Sequence, residues 1–125
     1  MLRLPTIFFL ISFSLFAVIH VIALQLFLYW HYLWFDIPMH FLGGIIVALG
    51  VFTLHDLKVF VPSRYLTPVA VVLMVVIVAL VWEVFELYIG TPIEENFVID
   101  TLTDLGMGIL GGLIGYSIGT NIKKL

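Results

Sequence analysis

Long apolar runs separated by short polar breaks set the pattern of the chain. The first runs from Leu4 to Trp30, with Ser12, Ser14, His20 and Gln25 as its polar interruptions. The second covers roughly 34–54 and contains Gly43, Gly44 and Gly50. A polar connection follows, with His55, Asp56, Lys58, Pro62, Ser63 and Arg64. The third run, roughly 67–89, begins as nearly pure Val, Ile and Leu and ends in Trp82-Glu83-Val84-Phe85-Glu86 before Gly90-Thr91-Pro92. The fourth, roughly 99–118, is closed by Asn121, Lys123 and Lys124. A spanning helix needs about 20 mostly apolar residues, and Gly is commoner in membrane helices than in soluble ones. The pattern predicts an all-α fold: one four-helix transmembrane bundle over residues 1–125, with helices at roughly 4–30, 34–54, 67–89 and 99–118. Arg3 resembles the start of a signal peptide. The apolar stretch after it far exceeds the roughly 7–15 residues of a signal core, so it reads as a retained helix.

Composition sharpens the class. Of 125 residues, 63% are hydrophobic and 10% are charged, against about 25% charged in soluble domains. That excludes a soluble globular domain and a disordered chain. Five Lys and Arg against eight Asp and Glu leave no basic surface for a nucleic acid. The absence of cysteine removes disulfides, thiolate metal sites and cysteine nucleophiles. Four spans put both termini on one side. Arg3, Lys58, Arg64, Lys123 and Lys124 then share that side, and the positive-inside rule makes it cytoplasmic. Of the acids, only Asp56 joins them; Asp36, Glu83, Glu86, Glu94, Glu95, Asp100 and Asp104 fall at or toward the other side. The expected location is the cell membrane, as a multi-pass protein.

Candidate chemistry gathers at that outer end. Asp36 and His40 are four apart, Glu83 and Glu86 three, Asp100 and Asp104 four. Residues at these spacings share a helix face, so three helices can each offer two ligands or proton carriers. His20 is a candidate seventh group. Asp36 before Pro38, and Asp100 at a helix start, read equally well as caps. Glu94 and Glu95 read as solvated loop residues, His31 as part of an interfacial aromatic belt, and His55 as a surface residue. His40, Glu83 and Asp104 lie deeper: the first and last are one turn in, about 6 Å at 1.5 Å per residue. Ionisable groups at such depth are functional candidates, because a charge at the bilayer centre costs about 2.5–3.5 kcal/mol. A metal, shared protons or a wet cleft would offset that cost. Oxygen-rich ligation with some imidazole suits a divalent Zn, Mn, Fe, Mg or Ca ion. His40, Glu83 and Asp104 are the candidate catalytic groups, as acid, base or activators of a bound ion's water.

Glycines at Gly108/Gly112, Gly111/Gly115 and Gly115/Gly119 form G-x-x-x-G spacings, which let membrane helices approach closely. They read first as packing within the bundle, bringing Asp104 near His40, and second as a homo-oligomer contact. The expected function is a membrane protein whose outward carboxylate/His site binds a divalent metal and acts on or recognises a lipid or cell-envelope precursor head group. Alternatives are an ion or proton carrier using the same cluster, and a structural membrane subunit. Helix 67–89 has no polar group from Val69 to the Trp82 region, which argues against a simple channel.

At these residues the chain resembles the VanZ-like and YjdF-like families of small bacterial membrane proteins. The matching pieces are Phe35-Asp36-Ile37-Pro38-Met39-His40-Phe41 with Gly43-Gly44, then Trp82-Glu83-Val84-Phe85-Glu86, then Asp100-Thr101-Leu102-Thr103-Asp104-Leu105 with Gly108, Gly111 and Gly112. The YjdF-like pattern is closer, through Trp-Glu-x-x-Glu. The Gln near Glu86 and the following Arg typical of VanZ-like members are missing, so the glycopeptide-resistance link of that family does not carry over. The resemblance implies functional roles for Asp36, His40, Glu83, Glu86, Asp100 and Asp104.

Overall fold

The computed structural model describes residues 3–59, 61–92 and 96–123. They form helices α1 (Leu4–Gln25), α2 (Leu28–His31), α3 (Asp36–Asp56), α4 (Pro68–Ile89) and α5 (Phe97–Ile122), with 3-10 turns at Leu33–Phe35 and Ser63–Tyr65. The fold is all-α. Four segments are long and apolar enough to cross a membrane: Leu4–Gln25, Leu33–Asp56, Pro68–Ile89 and Phe97–Ile122.

The first apolar run is not one helix to Trp30. It breaks after Gln25, and Phe27 takes a left-handed conformation with φ 54°. No Gly or Pro marks the break. Twenty-two residues already rise about 33 Å, the thickness of the roughly 30 Å hydrocarbon core. A left-handed non-glycine residue costs about 1–2 kcal/mol. Tertiary packing offsets it: the turn folds Tyr29 inward until it is 4% exposed, in a cluster with Ala23 and Met39.

Other boundaries follow local chemistry. Thr67 caps α4 by accepting from the Ala70 N–H, and Pro68 occupies the first turn. Gly90, at φ 74°, ends it in the left-handed conformation that glycine adopts without steric cost. The cap of α5 is Asn96, whose Oδ1 accepts from Val98 and Ile99. The helix therefore starts at Phe97 and places Asp100 inside the first turn, so Asp100 is not the cap. Asp36 is not a cap either: it is the first residue of α3, and the preceding Phe35 makes no side-chain cap bond.

The bundle is apolar outside and partly polar inside. Val69, Val81 and Val84 are each about two-thirds exposed, as lipid-facing positions should be. The buried stripe of α4 runs Val71, Val75, Ala79, Glu83 and Glu86, at steps of three and four. That of α5 runs Asp104, Gly108, Gly111, Gly112, Gly115 and Gly119. The largest interface joins α3 to α5. A Cβ on Gly44 would overlap the Gly108 carbonyl, and one on Gly111 would overlap the Phe41 carbonyl. Backbone meets backbone, the close approach that small residues permit. The glycines Gly108, Gly111, Gly112, Gly115 and Gly119 are buried within the bundle.

Connectivity and contacts place Arg3, the α3–α4 connection and the end of α5 at one end of the bundle. Arg3 lies 3.4 Å from Asp56, and the Tyr116 hydroxyl donates to the Leu66 carbonyl. His55 Nδ1 meets the Val61 carbonyl at this end. Lys58, Arg64 and Lys123 sit there as well. Lys124 and the Glu94-Glu95 pair lie outside the described residues.

Candidate metal centre

At the opposite end three helices converge on His40. It sits one turn into α3, on the side that faces α4 and α5, and is 6% exposed. Its Nε2 lies 3.5 Å from Asp36 Oδ2, one turn earlier on the same helix. From α4 it faces Glu83 Oε1 at 3.5 Å and Glu86 Oε2 at 3.7 Å. Asp104, 1% exposed, comes from α5 at the head of the glycine stripe. The absence of side chains at Gly108, Gly111 and Gly112 lets α5 come close enough for a short aspartate to reach the cluster.

Two overlapping groups result: Asp36, His40 and Glu86, and His40, Glu83 and Asp104. Within each, one ligand atom per residue lies within 4.8 Å of the others. Divalent ions bind these atom types at about 2.0–2.6 Å, so two ligands of one ion stand no further apart than about 5 Å. Both groups meet that limit and can hold a metal ion. His40 is common to both groups.

The site is under-satisfied by protein alone. Asp36 Oδ1, His40 Nε2, Glu83 Oε1 and Asp104 Oδ1 are buried without a hydrogen-bond partner, and all four belong to it. Most buried polar atoms in folded proteins have partners, so four orphaned atoms in one place call for a cation, waters or shared protons. Glu83 Oε2 accepts from the Thr101 hydroxyl at 3.1 Å.

The remaining sequence candidates divide. Asp100 lies one turn above Asp104, half-buried, and belongs to neither group. His20 also stands apart from both. Its Nδ1 pairs with the Tyr29 hydroxyl at 2.8 Å, and its ring packs against Phe16 and Trp82. His20 thus ties α1 to α2 and α4, as a hydrogen-bonded packing histidine does. His31 Nδ1 meets the Phe27 carbonyl at 2.8 Å among exposed aromatic rings.

Two neighbours of the cluster escape a reading of the sequence. Thr101 is three residues before Asp104, so the spacing that pairs Asp100 with Asp104 also offered it. Tyr29 sits in an aromatic-rich string with no local mark. Burial pushes its phenol pKa up, and the Asp36 and Glu86 carboxylates push it further. Tyr29 therefore stays a neutral phenol beside the cluster.

Four apolar spans around a buried His/carboxylate cluster define a multi-pass membrane protein with a candidate cation site. The chain belongs to the family described as predicted membrane protein (DUF2238), whose model matches residues 2–124. That match names neither the VanZ-like nor the YjdF-like families. No curated protein and no solved structure matches the chain.

Proposed function

We propose that this protein holds a divalent cation at the outer face of a membrane and there recognises or acts on the head group of a lipid or envelope precursor. The observation that carries the reading is that two overlapping groups of carboxylates from three helices meet at His40, with four buried polar atoms among them lacking a hydrogen-bond partner. His40, Glu83 and Asp104 are the inner ligands, and Asp36 and Glu86 complete the shell. Three or more carboxylates crowded at hydrocarbon depth repel one another, and a dication relieves that repulsion. A bound ion there supplies Lewis acidity toward a phosphoryl or carbonyl oxygen. The outward orientation follows from the basic residues at the other end.

Elemental analysis of the purified protein tests this reading, with Glu83→Gln as the comparison. The expected result is about one divalent ion per wild-type chain and little in the mutant. Added ion at a hundredfold excess over its Kd should stabilise wild type by about 2.7 kcal/mol and leave Glu83→Gln unmoved. A metal-free wild type indifferent to chelator overturns the proposal. In that case a Glu83→Gln protein of equal or higher stability indicates shared protons and a proton carrier. A destabilised one indicates a purely structural cluster.

A further inference from the structure

A cavity of about 210 Å³ lies directly beneath the cluster, between α1, α3 and α4. Its walls include Phe13 on α1, Gly43 and Val47 on α3, and Val78 and Ala79 on α4. They are apolar throughout, except at the upper end, where His40 enters the lining. Trp82 lines the upper end beside His40 and packs against Phe16 and His20. Lower down, Phe13 and Val78 stand 50% and 41% exposed on opposite walls, so the cavity opens sideways between α1 and α4. In a membrane, that side is hydrocarbon.

Gly43 is the second observation. Cβ atoms on Gly44, Gly111, Gly112, Gly115 and Gly119 would strike a neighbouring helix, but one on Gly43 meets nothing within 4 Å. Glycine in a helix interior costs about 1 kcal/mol relative to alanine, and no close helix approach accounts for it here. What the missing side chain provides is space in the cavity wall, one turn below His40. Buried His40, whose Nε2 faces the carboxylates, is the ionisable residue at that end of the lining.

We infer that the cavity is the seat of one acyl chain of an outer-leaflet phospholipid, which enters between α1 and α4 and brings its phosphate end to the cation site. The chemistry selects this occupant. Lipid chains are as apolar as the lining, so a chain gains no hydrophobic transfer energy by entering. It gains dispersion contacts with walls that an unfilled gap would leave without partners. An apolar cavity of about 150 Å³ takes a benzene-sized hydrocarbon, so this one takes a segment of a single chain and not a drug-sized ring system. A phosphate at the top needs a cation among the carboxylates. The polar half of the inference therefore rests on the metal reading above; the chain half does not.

The test uses the full protein in vesicles of phosphatidylethanolamine and phosphatidylglycerol, the latter carrying a photoreactive diazirine in one acyl chain. Irradiation should label Ala79 and Val78 in the wall, and Val81 and Val84 on the lipid-exposed face. Gly43→Phe fills the cavity with a ring that has room to sit. It should lose most of the Ala79 label, keep the Val81 and Val84 labels, and keep its metal content. Val78→Trp fills the cavity from the opposite wall and should do the same if Gly43→Phe does not fold. Undiminished Ala79 labelling in a folded filled variant overturns the inference, as does a wild type labelled at Val81 and Val84 but not at Ala79. Chelator separates the two readings. If the metal reading holds, stripping the ion weakens retention of phosphatidylglycerol through detergent exchange. If wild type is metal-free, wall labelling still decides the chain site, and loss of the phosphate half leaves metal content as its separate record.

Discussion

At the residue scale, the supports around the cluster differ in what they hold. Thr101 donates to Glu83 Oε2 and so aims the other oxygen, Oε1, at His40. Thr101→Val removes that donor at nearly constant volume. Metal affinity should fall about 10–100-fold, the usual consequence of losing a bond that orients a ligand, while the melting temperature without metal changes little. Isothermal titration with the ion found in wild type measures this. Tyr29 holds His20 rather than the cluster. Tyr29→Phe leaves His20 Nδ1 without its partner and should cost about 1–3 kcal/mol with metal content unchanged. Thermal melts paired with elemental analysis check both halves. The two variants together separate orienting the site from holding the bundle.

At the element scale, the α3–α5 contact turns a glycine spacing into a site. Gly111→Ala puts a methyl against the Phe41 carbonyl, so the helices must part and Asp104 must move away from His40. Such overpacking costs about 1–3 kcal/mol, and here the loss of metal should accompany the loss of stability. Gly106→Ala is the contrasting case: it faces outward with nothing within 4 Å and should be neutral or stabilise by up to about 1 kcal/mol through helix propensity. Melting both proteins and measuring their metal decides. This is also where legibility ended. Hydropathy makes the four spans readable, and i,i+3 and i,i+4 spacing makes Asp36–His40 and Glu83–Glu86 readable as inward pairs, whereas of Asp100–Asp104 only Asp104 joins the cluster. The break at Phe27 was not, because a left-handed phenylalanine is set by where Tyr29 packs and not by its neighbours in sequence. Asn96 lost out to Asp100 as the apparent cap because hydropathy dates the helix from its apolar run, two residues late. Gly43 and Gly44 look alike in sequence; only the position of α5 tells a contact glycine from a cavity glycine.

At the scale of the whole molecule, charge and depth work together. Arg3, Lys58, Arg64 and Lys123 mark one end of the bundle; His40, Glu83 and Asp104 sit near the other. Moving Lys or Arg across the bilayer is opposed, so the positive-inside rule predicts that the basic end stays in the cytoplasm. On that prediction the carboxylate end faces outward, where divalent ions and lipid head groups would reach it without crossing the hydrocarbon. The chain contains no cysteine, so single cysteines report sidedness without background. Ser63→Cys lies in the 3-10 turn at the basic end, and Tyr32→Cys lies at the other, 51% exposed beside the aromatic belt. In intact cells an impermeant maleimide should label the cysteine at 32 and not that at 63. Permeabilised cells should show both. The reverse pattern would put the cation site on the cytoplasmic side and with it the head groups it could meet. Labelling of both positions in intact cells would break the four-span topology itself, since Ser63 and Tyr32 are separated by the single crossing of α3.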